Sequence, residues 1–206
     1  MTVTNSTFYA NTAGANGGSI WNAGTTTIIN SILSANEGVS GGGIYNNANQ
    51  TTLFNSIVAG SISGGDCLTN GGTVTANAFN LDTDGSCDNA TQKTAVEIDL
   101  QPLADNGGQT ETMALTANSA ALDAGDAAVC AAAVGSPTYG AGGLDQRGVA
   151  RPQGVACDVG AYELWRVEIT AVSTTDASLA WGGANAGCTY DIFESTTPYF
   201  TPTGSE

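Results

Sequence analysis

The chain has 206 residues, of which 41% are hydrophobic and 11% are charged, and this composition supplies enough apolar material for a folded core. It carries 4 basic residues against 19 acidic ones, and the formal net charge of −15 excludes nucleic acid and anionic membranes as electrostatic partners. Histidine is absent from the sequence, which excludes His-based triads, His metal sites and His acid-base catalysis.

Two motifs recur in the N-terminal half after one period. The tetrapeptide FYAN at residues 8–11 returns as LSAN at residues 33–36, and GGSIWN at residues 17–22 returns as GGGIYN at residues 41–46. A fixed period of about 24 to 25 residues indicates a repeat architecture. The same spacing relates further rows of residues, namely Asn5, Asn30, Asn55 and Asn80; Asn22, Asn46 and Asn70; Val3, Ile28 and Leu53; and Ile20, Ile44 and Leu68.

These repeats predict an all-β fold, a parallel β-solenoid of about four coils over residues 1–100. Their segments are short, rich in Thr, Ile, Val, Asn and Gly, and poor in helix formers. In a solenoid the apolar rows stack into one core at a coil spacing of about 4.8 Å, and the Asn amides bond along the stack. The motifs resemble the F-x-x-N and G-G-A-I repeats of polymorphic outer-membrane proteins and their secreted relatives, which implies a right-handed parallel β-helix.

The repeat stops near Leu100, and residues 101–163 form a second unit with its own motifs. These are DNGGQT at 105–110, LDAGD at 122–126, DQRGVARP at 145–152 and CDVGAYE at 157–163. In that order they resemble the choice-of-anchor Q domain of bacterial surface proteins, which implies secretion and display at a cell surface but no chemistry. Because a solenoid end exposes unpaired backbone, we expect this module to cap the solenoid.

Two arginines of this module stand among carboxylates. Arg147 and Arg151 lie close in sequence to Asp145, Asp158 and Glu163. In a chain with so few cations this clustering favours structural ion pairs inside the module. The alternative is an active site, since lyases of β-helical fold use a basic residue.

Residues 164–206 predict a third unit. Alternating apolar residues indicate strands at 165–172, 177–181 and 189–195. They resemble the opening strands of a fibronectin type III domain, with Trp181 in the place of its buried tryptophan. Half of such a sandwich leaves an edge unpaired, so we expect this partial β-sandwich tail to be covered in an assembly rather than mobile.

The cysteines predict two disulfides and an oxidising environment. Cys67 and Cys87 flank the fourth coil, and Cys130 and Cys157 flank the next segment, so we expect these two pairs. Cys188 is left over. The alternative is a set of buried free thiols in a cytosolic protein.

Two candidate binding sites lie on the repeats. Asp82, Asp84 and Asp88 surround a glycine as in calcium loops, although an Asx-rich turn pinned by a disulfide is the alternative. Trp21 and Tyr45 stand one coil apart, which predicts an exposed aromatic ladder that could bind sugar rings. Alternatively, the two rings pack on each other or on a neighbouring subunit.

The sequence contains neither an apolar run of about 18 residues nor a signal-like segment, so it predicts no membrane insertion. Since it opens within a repeat at Thr2–Asn5, we expect a fragment of a longer, extracellular product.

The predicted function is a non-enzymatic structural or adhesive module of a bacterial surface protein. We expect it to assemble head to tail into a filament through the open solenoid end and the incomplete C-terminal strands. The alternative is a carbohydrate-binding or polysaccharide-degrading β-helix. Catalysis is the weaker hypothesis, because hydrolysis needs paired carboxylates and the first three coils carry only Glu37 and Asp66. No catalytic residue and no cofactor other than calcium are predicted.

Overall fold

The structure, a computed structural model, describes residues 1–135 and 139–165 and the backbone of two further strands in the C-terminal tail. Its first hundred residues form the predicted parallel β-solenoid, in which three parallel sheets run side by side. The first sheet contains β1 (Thr2–Thr4), β4 (Thr26–Ile29), β7 (Gln50–Phe54) and β10 (Thr73–Thr75). The second contains β2 (Thr7–Tyr9), β5 (Ile32–Ser34), β8 (Ile57–Ala59), β11 (Leu81–Asp82) and β12 (Thr91–Gln92). The third contains β3 (Ile20–Asn22), β6 (Ile44–Asn46) and β9 (Cys67–Thr69).

The solenoid has about three complete turns rather than the four that the repeat predicts, because its third sheet stops at β9. Strand β12 pairs directly with β11, although only residues 83–90 separate the two strands. That connection is too short for another full coil, so the repeat closes there.

One predicted row is wrong by a single residue. Ile44 pairs with Cys67 rather than with Leu68, and Leu68 pairs with Tyr45. The period from β6 to β9 is one residue shorter than the period from β3 to β6, so every side chain of β9 lies one place away from its predicted position. For the same reason Asn46 pairs with Thr69 and not with Asn70.

The interior of the solenoid is filled by alternate side chains of the strands, so that Asn22 and Asn46 are buried on the same face as Ile20 and Ile44. In the second sheet the inward row consists of Phe8, Leu33, Val58 and Asp82, which pair in register. Leu33 and Val58 are fully buried in the inner core. The other apolar members of that core are Ile20, Ile28, Ile44, Leu53, Cys67, Val74, Ala76 and Cys87.

The second sheet is apolar on its outer face as well. Ile32, Ile57 and Leu81 each precede an inward residue by one position, so their side chains point to the outside of the solenoid. All three are nevertheless buried, because the module of residues 101–163 and the short helix before it cover them. The covering residues are Ile98, Met113, Leu115, Ala121, Val159, Ala161 and Tyr162.

Helix α1 (Ala95–Ile98) precedes the module, which opens with a hairpin of β13 (Leu100–Ala104) and β14 (Thr112–Leu115). Helix α2 (Ala127–Ala131) follows, and residues 139–165 are largely without regular secondary structure. Gly160 packs so closely that an added Cβ would lie 2.9 Å from Ile32 and 3.0 Å from Ile57. Its φ of 98° also favours glycine.

The expectation that this module caps the solenoid end needs correction, because the module runs along the side of the coils. Asn5 in the first coil donates from Nδ2 to the carbonyl oxygen of Ala141 at 3.0 Å. Asn55 in the third coil donates from Nδ2 to the carbonyl oxygen of Asp126, also at 3.0 Å. The module lies on this face because it buries the outward apolar row of the second sheet.

The tail contains an antiparallel pair, β15 (Val167–Val172) and β16 (Ala177–Trp181). The predicted strand at 189–195, the side chain of Trp181 and Cys188 lie outside the described residues. Within the part of the chain that the structure describes, no helix combines the length and apolarity needed to span a membrane.

The outer apolar face can be tested by replacing Ile57, which is fully buried there, with alanine. We expect Ile57→Ala to lower the free energy of unfolding by about 2–5 kcal/mol in urea titrations, because it leaves a cavity under the module. The control is Ile62→Ala, since Ile62 is 64% exposed, and its effect should stay within about 0.5 kcal/mol. Equal effects of the two substitutions would contradict the packing described above.

Candidate functional site

The module is held together by a buried guanidinium. Arg151 Nη1 lies 2.8 Å from Oε2 of Glu163. Its remaining N–H groups donate to backbone carbonyl oxygens, from Nη1 to Asp158 at 2.9 Å, from Nη2 to Gly160 at 2.7 Å and from Nε to Leu144 at 3.2 Å. The side chains of both partners are almost completely buried, so this pair cannot contact a substrate.

A second arginine pairs with a second carboxylate nearby. Arg147 donates from Nε and Nη2 to the same oxygen, Oδ2 of Asp145, at 2.9 Å and 2.7 Å, while Oδ1 accepts from the backbone N–H groups of Arg147 and Val149. Nη2 also donates to the carbonyl oxygen of Glu163 at 2.6 Å. The guanidinium carbon lies 3.6 Å from the centroid of the Tyr162 ring, within the range of a cation–π interaction.

The carboxylates of this cluster outnumber its cations. Asp145, Asp158 and Glu163 face Arg147 and Arg151, so full ionisation of the three carboxyl groups would bury one excess negative charge. Burial of uncompensated charge is costly, and a carboxyl group relieves it by taking up a proton.

The pKa values in the cluster shift in the corresponding direction. Burial raises the pKa of Asp158 to about 7, and the adjacent carboxylate of Glu163 adds to the shift. The backbone N–H groups of Asp123 and Leu164 and the guanidinium of Arg151 oppose it. Burial also raises the pKa of Glu163, although Arg151 opposes that shift. The cluster therefore binds a proton near neutral pH.

Both predicted disulfides are confirmed, as Cys67 is bonded to Cys87 and Cys130 to Cys157. The second bridge lies against the asparagine row of the solenoid, where Asn55 Nδ2 is 3.2 Å from Sγ of Cys130. It therefore links α2 to Cys157 within the module and lies in contact with the third coil.

The carboxylates of the acidic turn are hydrogen-bonded to backbone N–H groups of the turn and of the preceding coil. Each of its three carboxylates accepts a backbone N–H hydrogen bond at 2.9–3.1 Å, in the pairs Asp82 with Cys87, Asp84 with Asp66 and Asp88 with Ala76. Burial raises the pKa of Asp82, although the N–H group of Cys87 opposes the shift. In the described ranges no group of three His, Cys, Asp or Glu side chains is placed to hold a metal ion, so calcium binding gains no support from the geometry.

The predicted exposed aromatic ladder needs correction. Trp21 and Tyr45 are paired in register on β3 and β6, yet Trp21 is 54% exposed and Tyr45 only 7%. Tyr45 stands on the central strand of its sheet, between Trp21 on one side and Leu68 on the other. Its in-register neighbours shield it, so the two rings do not form a flat sugar platform.

A cleft of about 870 Å³ separates the first coil from the module. It is lined on the solenoid side by residues 5–9 and Asn11, and on the module side by Leu103, residues 109–111 and residues 145–148. Gln146 spans it, accepting from Thr7 Oγ1 at 2.6 Å and donating to Thr110 Oγ1 at 3.0 Å. Periodicity could not predict this cleft, because one wall comes from residues outside the repeat.

Comparison of the chain with protein-family models, with curated proteins and with solved structures finds no match.

The raised pKa of Asp158 predicts a pH-dependent stability. Its folded-state value of about 7 lies above the ordinary 3.8, so the folded protein holds this proton more tightly than the unfolded chain does. The resulting stabilisation is fully present below about pH 4 and is lost as the pH rises to about 7. In urea titrations, the free energy of unfolding of the wild type should fall relative to that of Asp158→Asn between about pH 4 and pH 7. Above about pH 7 the difference between the two proteins should stay constant. Parallel curves for the two proteins would contradict the shift.

The buried pair predicts a large cost for removing its cation. Arg151→Met should lower the free energy of unfolding by about 3–5 kcal/mol, because Glu163 is left buried without a counter-charge. Lys93→Met is the matched control, since Lys93 pairs with Glu97 at 3.5 Å on the surface, and it should cost about 0.5 kcal/mol or less. If both substitutions cost the same in urea unfolding, the cluster does not stabilise the module.

Proposed function

We propose that this chain is a non-enzymatic extracellular structural module of a bacterial surface protein, which assembles by head-to-tail stacking of its solenoid. The observation that carries the proposal is the open edge of the first coil. Among the described residues, β1, β2 and β3 each have a neighbouring strand on one side only. Such an edge presents a row of unpaired backbone groups to an incoming strand.

The composition of the first coil supports assembly through this edge. No charged side chain precedes Glu37 and no proline precedes Pro102. Natural edge strands are usually protected by charges, proline or a covering segment, and the first two devices are absent from β1, β2 and β3. In a chain with a net charge of −15, an uncharged end is suited to contact with another molecule.

The opposite end of the solenoid is partly covered by the acidic turn, since Ser86 Oγ accepts from the N–H group of Cys67 and Asp88 accepts from that of Ala76. Strands β10 and β9 stand at the other margins of the first and third sheets. Stacking β1 of one copy on β10 of another continues the same parallel register. This contact joins two different surfaces, so it leads to an open filament rather than a closed dimer.

An extracellular location is part of the proposal. Two disulfides are typical of proteins from oxidising compartments. The resemblance to polymorphic outer-membrane proteins and to the choice-of-anchor Q domain is consistent with a surface protein. The alternative of carbohydrate binding retains only Trp21 as an exposed ring of the proposed ladder, because Tyr45 is buried.

Assembly through the first coil can be tested with a charge placed on its edge. Tyr9 lies on β2 and is 40% exposed. We expect sedimentation velocity and electron microscopy of the wild type to show filaments that form with increasing protein concentration. Tyr9→Lys should raise the concentration at which filaments first form by about tenfold, because a lysine on an edge strand opposes strand pairing.

The matched control is Val39→Lys, which adds the same charge at a position 72% exposed and away from the three open strands. It should leave assembly unchanged. A wild type that stays monomeric at all concentrations, or equal effects of the two lysines, would overturn the proposal.

A further inference from the structure

The chain contains three Asn-Gly-Gly tripeptides, and the structure holds them in different ways. They begin at Asn16, Asn70 and Asn106. In an Asn-Gly pair the backbone nitrogen of the glycine can attack the Cγ atom of the asparagine side chain, because glycine has no Cβ to hinder the approach. Since the same two residues follow each asparagine, a difference in reactivity among the three sites reports on the fold.

The site at Asn16 is restrained within the first coil. Gly17 is buried, and its N–H group donates to the carbonyl oxygen of Ser40 at 3.0 Å. An added Cβ on Gly17 would lie 2.7 Å from the carbonyl oxygen of Ile20, so the surrounding backbone is tightly packed. The nitrogen that would attack the side chain is therefore both hydrogen-bonded and confined.

The site at Asn106 is restrained in the loop between β13 and β14. Its side-chain Nδ2 donates to the carbonyl oxygen of Thr112 at 2.8 Å, and the N–H group of Gly107 donates to Oδ1 of Asp105 at 3.0 Å. Arg147 Nη1 also donates to the carbonyl oxygen of Asn106 at 3.3 Å. Here the attacking nitrogen and the amide that must leave are both held by hydrogen bonds.

The site at Asn70 lacks these restraints. Asn70 and Gly71 are exposed in residues 70–72, which connect β9 to β10. Among the described residues the N–H group of Gly71 has no hydrogen-bond partner. An added Cβ on Gly71 would meet only the carbonyl oxygen of Asn47, at 3.7 Å. One hydrogen bond holds the side chain of Asn70, from Nδ2 to Oδ1 of Asn47 at 3.1 Å. The attacking nitrogen is thus free, and the connection has space to rotate.

We propose that Asn70 is a site of spontaneous deamidation, with water as the co-reactant. The backbone nitrogen of Gly71 loses its proton and forms a bond to Cγ of Asn70, and the C–N bond of the side-chain amide breaks to release ammonia. Water then opens the resulting succinimide ring at either of its carbonyl carbons, which leaves aspartate or isoaspartate at position 70. Nothing is oxidised or reduced, and the reaction does not require the assembly proposed above.

The modification would alter the end of the last coil. Both products replace the donor group of Asn70 with a carboxylate oxygen facing Asn47, and both add one negative charge. Isoaspartate also inserts a methylene group into the main chain of residues 70–72. Strand β10 begins directly afterwards with Thr73, whose N–H group donates to the carbonyl oxygen of Asn49 at 2.9 Å. The modification therefore changes the path of the chain into β10.

The test is peptide mapping of the folded full chain after incubation at low protein concentration in mildly alkaline buffer. After reduction of the disulfides, trypsin and a glutamate-specific protease separate the three asparagines into the peptides 1–37, 38–93 and 98–111. We expect Asn70 to be deamidated at least about tenfold faster than Asn16 and Asn106, because the other two sites must first break the hydrogen bond on the attacking nitrogen. Equal rates at the three sites would overturn the proposal.

The matched control is the reduced chain unfolded in guanidinium chloride. There the three tripeptides lose their restraints, and their deamidation rates should agree within about threefold. If Asn70 keeps the same advantage in the unfolded chain, local sequence explains it and the inference from the fold is wrong.

A variant and the identity of the product test the route of the reaction. Asn70→Gln lengthens the side chain by one methylene group and requires a larger ring, so acidic species should form at least about tenfold more slowly in anion-exchange chromatography. Asn16→Gln is the control and should leave their formation unchanged. Equal effects of the two substitutions would place the reaction elsewhere. Electron-transfer fragmentation should detect isoaspartate at position 70, whereas aspartate alone would mean direct hydrolysis and contradict the attack by Gly71.

Discussion

The outward apolar row of Ile32, Ile57 and Leu81 is the constraint on which the rest of the structure depends. A solenoid coil needs to bury only its inward side chains, and an apolar row on the other face must be covered by something else. Residues 101–163 provide that cover. The asparagine bonds, the second disulfide and the buried arginine cluster then fix the position of a segment with little regular secondary structure.

The sequence predicts the solenoid well, because many residues recur with the same period and the period stays recognisable although one coil is irregular. The predicted cysteine pairs were also correct. The path of the module was wrong, although a signal existed: the adjacent pairs Ile32-Leu33 and Ile57-Val58 place apolar side chains on both faces of a strand. Tyr45 could not be placed from its spacing, because its burial depends on neighbours in the coils above and below.

The arginine cluster shows how a chain with few cations uses them. Arg147 and Arg151 donate to backbone carbonyl oxygens as well as to carboxylates, and Asp145 accepts from the N–H groups of Val149 and Glu163. Side chains thus satisfy buried backbone groups that a helix or sheet would otherwise pair. Sequence proximity indicated the residues involved, but the excess negative charge on Asp158 and Glu163 follows only from their joint burial.

The lateral position of the module also determines how the solenoid unfolds. In a simple repeat array each coil contacts only its neighbours, so coils can unravel one at a time from an end. Here a single segment bonds to Asn5 in the first coil and to Asn55 in the third. Loss of an outer coil therefore also breaks contacts with the segment that secures the inner ones, and the module converts a linear array into one cooperative unit.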